Sequence, residues 1–239
     1  MELIINQAYT IFNYQKPTSI TNVCTECCMP KDQARLLLTT ALNEIPLELL
    51  QEYNDGAQAL HFDRKEFNYF LPRYLELIGE FQFTSAVDVS LSLKNLKFDC
   101  KEFWTNETEV KCINDFSVAF FEKCLKTKAF SDNTQLIELI NMLHISGFDM
   151  NLLLPIWLAD LNNYAVVHLE QLITDNFNYR GKMHTNGFVN SDLNVILECW
   201  IKSNKPVILA SIEKHIMSSF LKDEHLQKLS YLYDTVNYI

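Results

Sequence analysis

Glycine and proline are scarce in this chain, five and six residues among 239. That is too few for the turn-rich connections of a β-sandwich or barrel. Arginine is rarer still: Arg35, Arg64, Arg73 and Arg180 are the whole set. A phosphate-binding surface needs clustered Lys and Arg to displace counterions, and no such cluster occurs, so neither nucleic acid nor anionic membrane is expected as a partner. Long apolar runs are missing too. The longest, Leu152 to Ala159, holds eight residues, far below the roughly 20 that a membrane helix needs. The opening "MELIINQAYT" has no cationic n-region, so no secretory signal is expected, and seven cysteines then read as reduced thiols of a cytoplasmic protein.

What is present leans helical. Apolar residues make up 48% of the chain and charged ones 21%, as in an ordinary soluble globular protein long enough to bury a sizeable core. Ile4, Ile5, Ala8, Tyr9 and Phe12 form a first amphipathic stripe that ends before Pro17. Pro30 and Pro46 suit first helical turns, the second of these helices running through Leu60. Asp63 caps a longer helix carrying Phe67, Phe70, Leu71, Tyr74, Leu75 and Ile78, in which Pro72 predicts a kink or split near Tyr69. Residues 85–98 alternate as a strand would, yet Leu93 and Leu96 fit a helix, and helix is the reading adopted.

Asn106 and Glu109 have capping-box spacing ahead of Ile113, Phe116, Phe120 and Cys124. Ser131 or Asp132 starts a helix that Gly147 ends, and Asp149 caps the next, which Pro155 should bend. Val166, Leu169 and Ile173 mark another. Three more are expected, over 192–202, 206–219 and 223–238. The expectation is an all-α protein of about ten helices, in an irregular or HEAT-like antiparallel stack, since no clear internal repeat is found. A main body over residues 1–175 and a three-helix section over 176–239 are the expected divisions.

Chemistry is thin. "VCTECCMP", Val23 to Pro30, packs Cys24, Cys27 and Cys28 into five positions. A C-x-x-C pair offers two ligands to zinc, and Cys28 a third, but no second pair or spaced His pair completes the set. Thioredoxin-like redox chemistry would want a preceding strand, which is absent. The block reads first as a compact lead-in to a helix, with structural zinc and a redox pair as the alternatives. His168 and Glu170 mimic the H-x-E of zinc deaminases without the later P-C-x-x-C, and that reading is rejected. His144, His168 and His215 lie near apolar helix faces and read as structural. H-E-x-x-H, the P-loop, the dinucleotide fingerprint and G-x-S-x-G are all missing.

Two stretches read as surfaces for another protein. Glu44, Glu48, Glu52 and Asp55 recur at steps of three and four, so they share a helix face, either solvated or docking a basic partner. The loop holding Tyr179, Arg180, His184 and Phe188 carries favoured interface residue types beside two glycines.

"CTECCMPKDQARLLLTTALNEIPLELLQEY" followed by "FNYFLPRYLELI" resembles a set of uncharacterised bacterial helical proteins with a C-x-x-C-C block and an FLPR-x-LEL segment. The likeness covers about the first 125 residues. Many such proteins carry histidine before FLPR, where this chain has Tyr69. The resemblance implies an α-helical bacterial protein and assigns no activity.

With 30 acidic and 20 basic side chains, the net charge is −10, a field that steers basic surfaces toward the protein. The functional expectation is a non-enzymatic protein-binding protein, most sharply an immunity protein neutralising a basic toxin or effector domain. A zinc-binding or redox module, or an enzyme built around Cys24, Cys27 and Cys28, is the alternative.

Overall fold

Met1 leads directly into α1, Glu2–Ile11, whose Ile5 and Ala8 turn inward together with Phe12 just beyond its end. In the computed structural model, nine more helices follow among the described residues: α2 Lys31–Thr39, α3 Leu47–Asp55, α4 Arg64–Gly79, α5 Glu107–Lys126, α6 Leu136–Ile145, α7 Met150–Ala159, α8 Asn163–Asn176, α9 Ser191–Met217 and α10 Asp223–Tyr238. The structure describes residues 1–130, 134–159, 161, 163–178, 182–183, 191–217 and 223–238. Among them the fold is all-α, with two short 3-10 turns and two isolated bridges, Val23 with Gln58 and Phe177 with Met183, but no strand.

Two compact units divide the chain: residues 1–120 with 145–148, and residues 121–144 with 149–239. In the first, α4 is the central element. Eleven of its sixteen residues are buried, including Phe67, Phe70, Leu71, Tyr74 and Ile78, and α1 packs on it. Asp63 caps it as expected, its side chain accepting from the Lys65 N–H at 2.9 Å. Pro72 does not split it. Only the hydrogen bond that residue 72 would donate to the Asn68 carbonyl is lost, while the apolar stripe continues through the proline from Phe67 to Ile78.

Two arginines are used up inside this unit. Arg64 donates to the carbonyls of Asn95 at 2.7 Å and Leu96 at 2.5 Å and lies 4.2 Å over the Trp104 ring. Arg73 donates to the Ile45 carbonyl at 2.9 Å and pairs with Glu76 at 2.6 Å. At the start of α5 the Asn106 side chain accepts from the Thr108 N–H at 3.0 Å and reaches Glu109 at 3.4 Å, so the capping signal is fulfilled. Ile113, Phe116, Phe120 and Cys124 are all fully buried.

Residues 85–98 are neither strand nor extended helix. One 3-10 turn, Val89–Leu91, is all that forms. Polar side chains take over the backbone here: Asp88 accepts from the Ser90 N–H at 2.8 Å, the Ser85 hydroxyl from the N–H groups of Val87 and Asp88, and the Thr84 hydroxyl donates to the Ser92 carbonyl at 2.7 Å. Such local bonds offer the chain an alternative to helix. The helix expected to reach Leu60 stops at Asp55.

In the second unit α10 packs on α9 and α8, and α7 and α8 also touch α9. Trp157 is fully buried, donates to the Ala165 carbonyl at 2.9 Å and stacks on Trp200 with ring centroids 5.3 Å apart. Pro206, expected to separate two helices, lies inside one 27-residue helix. Buried Leu193, Leu197, Ile201, Ile208 and Ile212 keep one face through the proline, and packing along that face outweighs the single lost bond. Asp149 caps α7 through the Asn151 N–H at 2.9 Å, whereas Ser131 and Asp132 lie outside the described residues.

Candidate functional site

The three-cysteine turn sits on a pinned segment. Its anchor is Glu66 in the first turn of α4, only 3% exposed. One carboxylate oxygen accepts from the Thr21 N–H and hydroxyl, both at 2.7 Å. The other accepts from the Asn22 N–H at 3.1 Å and the Tyr53 hydroxyl at 2.9 Å. Four donors thus satisfy a buried charge, the condition for tolerating one away from water. Burial, then the Glu66 charge, pushes the Tyr53 hydroxyl pKa well above its usual value.

Asn22 adds a second clamp. It is fully buried, donates to the Tyr53 hydroxyl at 2.9 Å and the Asp63 carbonyl at 2.8 Å, and accepts from the Asp63 N–H. Its own carbonyl receives the Ala59 N–H at 2.9 Å, and the Cys24 N–H reaches the Ala57 carbonyl at 3.1 Å. Ile20, Val23 and Met29 are buried on either side. Between these fixed points the N–H groups of Cys28 and Met29 both bond to the Cys24 carbonyl, at 3.2 and 3.0 Å, which winds residues 24–28 into one turn.

That turn gathers the sulfurs. Cys27 donates its S–H to Cys24 Sγ at 3.0 Å, and Cys27 and Cys28 Sγ are 3.4 Å apart. Cys27 is exposed, and its neighbours are partly so. The Cys27 hydrogen bond, helped by the N–H groups of Glu26 and Cys27, holds the Cys24 thiol below the usual thiol range. Hydrogen bonding with Cys24, and then with Cys28, pushes the Cys27 thiol up to about 12.

Zinc bonded to two thiolates at about 2.3 Å in tetrahedral geometry sets their sulfurs about 3.8 Å apart, wider than the spacing seen here. Among the described residues no group of three or more His, Cys, Asp or Glu side chains is placed to hold a metal ion. Of the remaining thiols, Cys112 and Cys124 are buried and Cys199 is exposed on α9.

The four acids of the expected stripe part company. Glu44, in the 3-10 turn Leu42–Glu44, and Glu48, in the first turn of α3, are exposed. Glu52 and Asp55 are half-buried. Asp55 accepts from the Ala86 N–H at 2.7 Å and the Asn54 side chain at 3.0 Å, with Lys94 at 4.0 Å, so it ties α3 to the loop after α4. One Glu52 oxygen is buried without a described partner. Glycine at 56 lets the chain leave α3 closely past Val23, where an added Cβ would come within 3.2 Å of the valine side chain.

Tyr179, Arg180, His184 and Phe188 lie outside the described residues. Of their loop, Lys182 and Met183 are described. Glu198 on α9 accepts from the Met183 N–H at 2.8 Å and Lys182 Nζ at 3.0 Å. A separate groove of about 380 Å³ in the second unit is lined by Leu154 and Pro155 of α7 and by Val195, Cys199 and Trp200 of α9.

His168 is structural, as its position on α8 suggested. It is buried, stacks on Phe130 with centroids 5.2 Å apart, and its Nε2 contacts the Thr127 carbonyl at 2.8 Å, which assigns the proton to Nε2. Burial draws its pKa below 6.5. The unfolded chain therefore takes up the proton first as pH falls. The stability it contributes is fully present above about pH 6.5 and is lost below it, at up to about 1.4 kcal/mol per pH unit. Urea titrations at several pH values should show this acid slope in the wild type and a shallower one in His168→Gln. Equal slopes would rule out the buried neutral imidazole. His215 bonds through Nδ1 to the Ser211 carbonyl at 2.8 Å and is equally a packing residue.

Glu66 carried no signal in the sequence, because an acid in the first turn of a helix is commonplace there. Its partners Thr21 and Asn22 stand 45 and 44 residues earlier, and Tyr53 stands 13 earlier. No protein-family model, curated protein or solved structure matches this chain.

Proposed function

We propose that this is a non-enzymatic binding protein that receives a basic protein surface on its first unit. The observation that carries the reading is the pair of exposed carboxylates Glu44 and Glu48, neither ion-paired among the described residues. They belong to a unit with 17 acidic and 10 basic side chains, hence a net charge of −7. The inward use of Arg64 and Arg73 leaves that excess less neutralised at the surface.

A basic partner is drawn to such a field at an accelerated rate, and its own cationic site is covered on docking. Proteins that cleave nucleic acid are basic because they hold phosphates. Neutralisation of a toxin of that kind, in a reducing bacterial cytoplasm, is the sharpest form of the proposal. Binding then centres on Glu44 and Glu48, because Glu52 and Asp55 are half-buried and Asp55 is already bonded to the loop after α4.

Affinity capture with the wild type and with E44K/E48K, from extracts of cells that make the protein, tests it. A stoichiometric basic partner held by the wild type should bind the double variant at least about tenfold more weakly, equivalent to about 1.4 kcal/mol. A partner retained equally by both, or no basic partner at all, would overturn the proposal.

A further inference from the structure

We propose that Cys24 and Cys27 form a dithiol–disulfide couple that exchanges with disulfides, Cys24 attacking and Cys27 resolving. The sulfurs are already 3.0 Å apart with the Cys27 S–H directed at Cys24 Sγ. Their turn is held by the Cys24 carbonyl, which accepts from Cys28 and Met29, and by the Glu66 and Asn22 clamps upstream. At least one of the two thiols, Cys27, faces solvent. An attacking sulfur that receives a hydrogen bond from its resolving partner, in an accessible and fixed frame, is the arrangement that exchange requires.

The direction of the contact assigns the roles. Cys24 Sγ is the acceptor, so negative charge on it is stabilised by the Cys27 thiol. The Cys24 thiolate attacks one sulfur of a disulfide, RSSR. A Cys24–SR bond forms as the RS–SR bond breaks, and the departing thiolate takes a proton, the equivalent of the one Cys24 gave up. Cys27 then loses its proton and attacks the Cys24 sulfur. A Cys24–Cys27 bond forms, and the second RS⁻ leaves and is protonated. Two cysteine thiols are oxidised by two electrons and RSSR is reduced to two RSH.

Cys27, not Cys28, is the sulfur in contact with Cys24 Sγ, at 3.0 Å, whereas Cys28 Sγ makes its contact with Cys27, at 3.4 Å. A Cys27–Cys28 bond is disfavoured as well, since consecutive α-carbons stand about 3.8 Å apart across a trans peptide, closer than the roughly 4.4 Å at which ordinary disulfides begin. Residues three apart in a turn fall within about 7 Å. The site is independent of the acidic surface and is tested separately.

Glutathione disulfide is the probe. The reduced full-length protein is incubated with it, quenched with N-ethylmaleimide, and mapped by intact mass and peptide analysis. The expected first product is the protein less two hydrogens, carrying a Cys24–Cys27 bond, formed on the order of tenfold faster than glutathione adds to exposed Cys199. Cys28→Ser should form the same bond. Cys27→Ser should stop at glutathione on Cys24, with an unchanged far-UV spectrum, since the Cys27 side chain is exposed.

Three results would overturn the assignment: glutathione addition at Cys24 no faster than at Cys199, a first bond that involves Cys28, or one equivalent of zinc bound by these thiols in the purified protein. If a variant fails to fold, the wild-type map alone decides.

Discussion

Glu66→Ala is expected to destabilise the protein by about 2–5 kcal/mol, well above the common cost of a surface change. The loss comes from the donors left behind. The Asn22 N–H and the Tyr53 hydroxyl both become buried and unmatched, each costing about 1–3 kcal/mol. Thr21 contributes less, because its exposed position lets water replace the carboxylate. A cleft of about 290 Å³ lined by Thr21, Lys65 and Glu66 gives that water a way in.

Glu66→Gln keeps one acceptor and turns an amide toward the Thr21 donors, so an intermediate loss of about 1–3 kcal/mol is expected. Urea denaturation gives the total, and amide hydrogen exchange localises it. Protection should fall at Asn22, Cys24 and Met29 in Glu66→Ala while Leu197 and Ile201 in α9 keep theirs. A change below about 0.5 kcal/mol would show that the carboxylate does not anchor the cysteine turn.

Gly147→Ala is the second large effect. The sequence places Gly147 where a helix should end, and the structure gives it φ 91° just past α6. Left-handed backbone costs an alanine about 1–2 kcal/mol. Space is the greater obstacle. A Cβ there would sit 2.5 Å from the Asp99 N and Oδ1 and 2.8 Å from the Phe98 N, and the Phe98 N–H is committed to the Ser146 carbonyl at 2.7 Å. Backbone cannot step aside as a side chain can, so the total should be about 3–4 kcal/mol.

Gly147→Asn separates the two causes. Asparagine tolerates a positive φ, yet its Cβ meets the same atoms, so most of the loss should remain. Gly56→Ala is the control. Its φ is −59° and its nearest neighbours would be at 3.1 and 3.2 Å, and about 1 kcal/mol is expected. Thermal denaturation of the three variants checks the order. If Gly56→Ala proved as costly as Gly147→Ala, the close backbone approach at Asp99 would not be the cause.

Local signals were legible in the sequence, and long-range ones were not. Asp63, Asn106 and Asp149 could be read as caps because a capping side chain acts within three residues of itself. Gly147 was legible for the same reason. The proximity of Cys24, Cys27 and Cys28 follows from their spacing, but the direction of the Cys27 hydrogen bond needed coordinates.

Pro206 misled, and the split that Pro72 allowed did not occur, because a proline removes one bond while buried faces on both sides keep a helix in register. The four-acid stripe misled in another way. Helical spacing places Glu44, Glu48, Glu52 and Asp55 together, but only the packed fold sets Asp55 against the Ala86 N–H. The Glu66 clamp had no local signature at all.

The central claim is that an acidic surface at Glu44 and Glu48 recruits a basic partner, and association kinetics test it most directly. With the captured partner purified, the on-rate of the wild type should fall steeply between low and physiological salt, as the field is screened within about 8–10 Å. E44Q/E48Q should associate more slowly at low salt and lose much of that dependence. An on-rate for the wild type that does not change with salt would contradict the account.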